Sequence, residues 1–364
     1  MSPEIATIEI VISGSRVVRA GFAVLVVAGG AALLVRAFGA IDMRATIDAV
    51  AHAGRFAPLA LAPFLFAMTL DATGIHLVLR ALGHAVPLAR LLPIRIATEA
   101  LHMTAPAGFV VADTATATLL DAHCGVPFGD GAVLAVGRKW LVMRAHALYI
   151  ALGAACGAAV LTVVSRRLFG SGWFAGAVAA SALLPLGLSM ALGAGLRGRS
   201  ALSRLQAVAR NCPWRALADR VARWRTRAVA GDARLARLGA ARSATWLAAA
   251  SFFACWLFES LETAVVLWLV GTPFNVGLAM AVEVGLTLVR SIGNVAPAGL
   301  GIQDAGYATL LTAAGVSPET SAAFVLLKRG KEVVWIAVGY SLLAGMGRTE
   351  GARNVGPRAF AKAA

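Results

Sequence analysis

The chain has 364 residues, 59% of them hydrophobic and only 14% charged, with a mean hydropathy of +0.78. That composition excludes a soluble domain of ordinary kind and points to a polytopic membrane protein. The net charge of +15 sits largely in one arginine-rich segment with no recognisable binding module beside it, so nucleic acid is not the expected partner.

In chain order, Val17–Val35 is the first stretch able to cross a hydrocarbon core of about 30 Å, which takes roughly 20 helical residues. It is read as an uncleaved helix and not as a signal peptide, because Arg36 separates it from the nearest cleavage-like residues. Ala57–Leu79, Phe174–Leu196 and Ala244–Val270 are the other clean spans, and Leu91–Leu120, Gly131–Val164, Val276–Leu311 and Ala322–Leu343 are apolar but interrupted by charge, Pro or Gly. Twelve arginines lie between Arg197 and Arg242 against Asp219 and Asp232, and this 197–243 segment reads as a cytoplasmic loop under the positive-inside rule, with a surface amphipathic segment as the alternative. The four cysteines form no CxxC pair, so disulfides, a metal site and a cofactor are not expected.

One stretch is written twice. Ala105-Pro106-Ala107-Gly108, Asp113 and Thr118-Leu119-Leu120 recur as Ala296-Pro297-Ala298-Gly299, Asp304 and Thr309-Leu310-Leu311, displaced by 191. At the same displacement Asp71 falls on Glu262, Arg138 on Arg329 and Tyr149 on Tyr340, with a one-residue slip near Gly125 and Gly315. The expected repeats are residues 57–153 and 248–344. Arginine bias places both termini, the turn around Arg80, Arg90 and Arg95, and the 197–243 loop in the cytoplasm; the pair Arg166-Arg167 disagrees. On that count the single span at Phe174–Leu196 inverts the second copy, and the expected fold is an all-α polytopic membrane protein with an inverted-topology repeat, as in many alternating-access transporters.

Pro106 and Pro297 break their helices, and Gly108 and Gly299 permit the backbone to turn there. Each segment is read as helix, break, helix, either a re-entrant hairpin or two short spans. A simple kink is the bland alternative. Broken backbone at membrane depth survives only inside protein or beside water, so these breaks are expected in the interior, with free N–H groups at Phe109 and Leu300 suited to a phosphate or carboxylate. Ionisable residues near them need partners. The acids are Asp71, Glu99, Asp113, Glu259, Glu262, Glu283 and Asp304, and His102 lies among them. Arg290 either binds an anionic headgroup or neutralises an acid such as Glu283 or Glu99. The basic clusters Arg138-Lys139 and Lys328-Arg329 with Lys331-Glu332 either snorkel at helix ends or guide an anionic headgroup.

The stretch from Ala296 to Val316, with Pro297, Gly299 and Asp304, resembles the Pro-Gly-Gly-Leu-Gly-x-x-Glu segment of the lysylphosphatidylglycerol synthase transmembrane, or flippase-like, family, and Pro106–Asp113 resembles its first Pro-Gly segment. Ala298 replaces the usual Gly, and Asp replaces the common Glu at 113 and 304. The resemblance implies movement of a lipid between leaflets of a bacterial-type inner membrane. Lys328 to Trp335 looks more like the branch found with hopanoid-lipid genes, so the implied cargo is an anionic phospholipid or a hopanoid-type lipid. Relatives that make lysylphosphatidylglycerol carry a soluble aminoacyl-transfer domain, which these residues do not contain; aminoacylation is not expected. Three readings stand: a translocator that is not an enzyme, an enzyme acting on a lipid phosphate through Asp113, Asp304 and His102, and a scaffold for lipid-biosynthetic partners.

Overall fold

The computed structural model describes residues 42–105, 108–197, 225–293 and 301–355, and every regular element among them is helical. Val17–Val35 and the broken-helix residues Pro106, Pro297 and Gly299 lie outside the described residues. Helix α1, Met43–Ala53, is capped by the Asp42 carboxylate, which accepts from the Arg44 and Ala45 amides at 2.8 and 3.3 Å. A 3₁₀ segment, Gly54–Leu61, leads into α2, Ala62–Ala81.

The first duplicated unit continues as α3 (Leu88–Thr104), α4 (Gly108–Cys124) and α5 (Phe128–Cys156). Next come α6 (Ala158–Phe169), α7 (Trp173–Ser181), α8 (Leu183–Arg197) and α9 (Arg225–Ala240). The second unit is α10 (Arg242–Leu269), α11 (Val276–Gly293), α12 (Ile302–Ala314) and α13 (Pro318–Val355). Among the described residues, Met43–Ala81, Trp173–Ala194 and Arg242–Leu269 are long and apolar enough to cross a membrane. The expected Gly131–Val164 span is instead sharply bent, since α5 and α6 meet at Gly157 with an angle of 79°. It makes a fourth crossing only if the bent pair counts as one broken span.

The packing is paired. Helix α2 lies against α10, α3 against α13, and α5 against α11, while within each unit α2–α3, α3–α4 and α4–α5 are matched by α10–α11, α11–α12 and α12–α13. These contacts are close because small residues admit them, as is general for helices in lipid. A Cβ at Gly74 would run into the Phe252 ring of α10, and one at Gly339 would run into Ala100 and the Ile96 carbonyl of α3. The units close alike as well. Gly125 and Gly315 take left-handed conformations (φ +68° and +105°) after α4 and α12, and the following Val126 and Val316 amides donate back to Leu120 and Leu311. One more residue lies between Leu120 and Gly125 than between Leu311 and Gly315, which is the expected slip.

The arginine-rich segment departs from a solvated loop over its described part. Helix α9 packs on α5, α8 and α10 with Leu235 and Leu238 fully buried. Arg234 reaches Asp130 of α5 at 2.5 Å, and His84 holds the other oxygen of that carboxylate at 2.9 Å. Residues 198–224 of the segment lie outside the described residues.

Candidate functional site

In the first unit, the acid expected on α2 is held from two sides. Asp71 accepts from Arg95 Nε and from Arg138, whose Nε and NH2 approach at 2.7–3.1 Å. Arg95 also pairs with Glu99 one turn along α3, at 2.6 Å. Arg95 was expected on a cytoplasmic turn; it lies on α3 with 11% of its side chain exposed, because Asp71 draws it into the bundle. Lys139, beside Arg138 on α5, sits 3.5 Å from Asp113 of α4 and over the Phe109 ring at 5.0 Å.

These groups border a cavity of about 200 Å³ between α2, α3, α4, α5 and α10. Asp71, Arg95, Glu99, His102, Asp113, Arg138 and Lys139 line it, with Phe252, Trp256 and Glu259 contributed by α10. A Cβ at Gly108 would collide with the His102 carbonyl, so glycine is required where α4 begins.

In the second unit the same class of side chains leaves the cations bound internally. The Glu283 carboxylate of α11 is 1% exposed and accepts from Thr263, from Tyr307 Oη at 2.7 Å, from Lys328 Nζ at 2.9 Å and from Arg290 NH2 at 3.1 Å. Lys328 also lies 3.4 Å from Glu262, which accepts from Lys331 at 2.7 Å. Arg329 donates to Asp304 at 2.7 Å and to Glu332 at 2.5 Å. Lys328 and Lys331 are buried among acids, which corrects the expectation that they snorkel at a helix end. Arg290 settles on the carboxylates Glu283 and, at 3.6 Å, Glu259; Glu99 belongs to Arg95.

Leu300, the position expected to offer a free N–H, lies outside the described residues. Helix α12 begins at Ile302, and the Asp304 carboxylate accepts the Gly301 amide at 3.0 Å. This acid caps its own helix and complements the dipole there.

Laid side by side, the ion pairs repeat. Asp71–Arg138 corresponds to Glu262–Lys328, and Asp113–Lys139 corresponds to Asp304–Arg329. The acids are displaced by 191 but the cations by 190, so the bonded register past the glycine turn pairs Arg138 with Lys328 and not with Arg329. The two copies differ in tightness. Asp113 and Lys139 are 26% and 39% exposed at 3.5 Å, whereas Asp304 and Arg329 are 7% and 22% exposed at 2.7 Å. Among the described residues the units meet through α2–α10, α3–α13 and α5–α11; the break residues Pro106, Pro297 and Gly299 lie outside them.

Residues 20–339 match the lysylphosphatidylglycerol synthase TM region family, a span that takes in the first unit, everything between the units and nearly all of the second. The chain belongs to that family. No curated protein and no solved structure matches it. Membership makes the chain a multi-pass membrane protein tied to lipid handling. In a member of the lysylphosphatidylglycerol synthase TM region family, a charged cavity inside an apolar bundle follows the rule that ionisable groups within membrane spans face one another or water and not lipid tails. Arg95 is the member of this cavity that sequence reasoning passed over; its i,i+4 spacing to Glu99 was the signal available.

Proposed function

We propose that the protein moves a lipid between the two leaflets, acting as a carrier that leaves its cargo chemically unchanged. The observation that carries this reading is the first-unit cavity, about 200 Å³ of charged space within the helical bundle, against a second unit whose corresponding ion pair is shorter and drier. A volume of that size takes a polar headgroup and leaves the acyl chains in the bilayer. Among the cations lining it, Arg95 and Arg138 are committed to Asp71, while Lys139 has the loose contact with Asp113 and the face of Phe109. A headgroup bearing oxygen acceptors, whether a phosphate or a hopanoid-type hydroxylated group, is the chemistry that Lys139 and its neighbours would hold.

The transport reading uses the units of residues 57–153 and 248–344 as inverted copies, placed by the arginine bias with both termini in the cytoplasm of a bacterial-type inner membrane. The matched packing of α2–α5 and α10–α13 supports treating them as two moving halves. Opening of one unit as the other closes would present the headgroup to each leaflet in turn.

The test is reconstitution into liposomes holding an acyl-labelled phosphatidylglycerol or a labelled hopanoid-type lipid. Protein-dependent loss of label from the outer leaflet, with the lipid recovered intact, is the expected result. No movement of either probe rejects the carrier, and recovery of a chemically altered lipid assigns an enzyme instead.

A further inference from the structure

Glu259 borders both charge clusters. It lines the first-unit cavity from α10, and it is also the partner of Arg290, at 3.6 Å, in the second-unit cluster. Its side chain is 36% exposed, far wetter than the 1% of Glu283, which holds the same arginine. The sequence position makes it singular too. Displacement by 191 pairs Glu259 with Met68, which also lines the cavity, so one unit carries a carboxylate where the other carries a thioether.

We propose that Glu259 is the proton-exchanging carboxylate that couples the cavity to the second unit. The inference rests on the carrier reading above. A proton passes from cavity water to a Glu259 oxygen, the carboxylate becomes neutral, and its attraction for Arg290 is lost. Arg290 then stays with Glu283 and Tyr307, at 3.1 and 3.0 Å, so no unpaired cation is left behind. Release of the proton restores the Glu259–Arg290 pair.

The surroundings channel the exchange to this residue. On its own helix Glu262 is taken by Lys331, and from α13 Lys328 is taken by Glu283. Across the cavity, Asp71, Arg95, Glu99 and Arg138 neutralise one another through hydrogen-bonded pairs. Asp113 faces Lys139 at 3.5 Å. From α5, Tyr149 bonds Ser260 at 2.7 Å and His146 stacks on Trp256 at 4.2 Å; His146, with His102 of the cavity lining, is a rival proton acceptor. A loose, half-wet carboxylate whose arginine has a second acid can change charge at small cost, whereas an acid held by two or more charged donors cannot.

The experiment uses the full chain in proteoliposomes with acyl-labelled phosphatidylglycerol, a pH-sensitive dye in the lumen and an imposed pH difference. For the wild type, the ratio of lipid movement with the gradient to that without it should change several-fold with the sign of the gradient, and the dye should report proton entry accompanying the lipid. In Glu259→Gln that ratio should fall to one, whatever the absolute rate. A wild-type rate indifferent to the gradient with no dye response overturns the coupling while leaving the carrier standing. So does a Glu259→Gln variant that keeps the response, which would assign it to His102 or His146. If that variant fails to reach the membrane, Glu259→Met, which copies Met68 of the first unit, takes its place and must give the same ratio of one. Absence of any wild-type lipid movement overturns carrier and coupling together.

Discussion

Replacing Glu283 with alanine should cost about 3–5 kcal/mol of stability, the size expected when one partner of a buried charge pair is removed. The carboxylate is 1% exposed and serves four donors, Arg290 on its own helix and three on other helices, so its loss leaves Lys328, Arg290, Tyr307 and Thr263 facing an empty site. Lys328 retains Glu262 at 3.4 Å and Arg290 retains Glu259 at 3.6 Å, both longer than the bonds lost. Denaturant titration of the purified protein in detergent reads the effect. Glu283→Ala combined with Lys328→Met should recover part of the loss, because the second change removes a stranded cation. If the single variant unfolds at the wild-type midpoint, the second-unit cluster is not the structural centre described.

Lys139→Ala should do the reverse, slowing lipid movement by roughly tenfold or more, about 1.4 kcal/mol in the barrier, with little change in unfolding. The contact it loses is a half-exposed pair at 3.5 Å, and such pairs contribute about 0–1 kcal/mol. Its counterpart behaves differently. Asp304→Ala removes both the Arg329 partner at 2.7 Å and the acceptor for the Gly301 amide, so stability and movement should fall together. Rates per folded molecule from proteoliposomes, set against unfolding midpoints, separate the two. Unchanged lipid movement in Lys139→Ala removes that residue from the headgroup's path.

Much of this architecture was legible in the residues. The acids Asp71 and Glu262 within apolar runs and the slip near Gly125 and Gly315 reappear as matched ion pairs and matched glycine turns, while Pro106, Pro297 and Gly299 of the repeated segments lie outside the described residues. What escaped was whatever depended on partners distant in sequence. Arg95 looks like a cytoplasmic marker because charge bias counts cations near span ends, and only Asp71, 24 residues earlier, shows that it faces inward. The register of Arg138 needed Glu262–Lys328 as a ruler, since an insertion in a turn leaves no trace in apolar periodicity. Helix α9 was hidden by its arginines; two leucines three residues apart suffice to dock it once Gly137 leaves room for Leu238.

Arg290 shows the same limit from the other side. Its place before the second break marked it as functional, and both a headgroup and an acid were open as partners. The described geometry gives it Glu283, Tyr307 and Glu259, so in this arrangement it reinforces a closed cluster and does not present a free guanidinium. On the carrier reading proposed above, the headgroup is assigned to the first unit, where the pairs are looser and the cavity lies.

Everything in the carrier account requires the two units to face opposite ways. The decisive measurement places single cysteines at Pro127 and Ser317, the exposed residues that follow the Gly125 and Gly315 turns, in a background without the native cysteines, and labels sealed membranes with an impermeant maleimide from one side. The account predicts that one position reacts from the cytoplasmic side and the other only from the opposite side. Reaction of both from the same side would contradict the inversion and with it the alternating carrier.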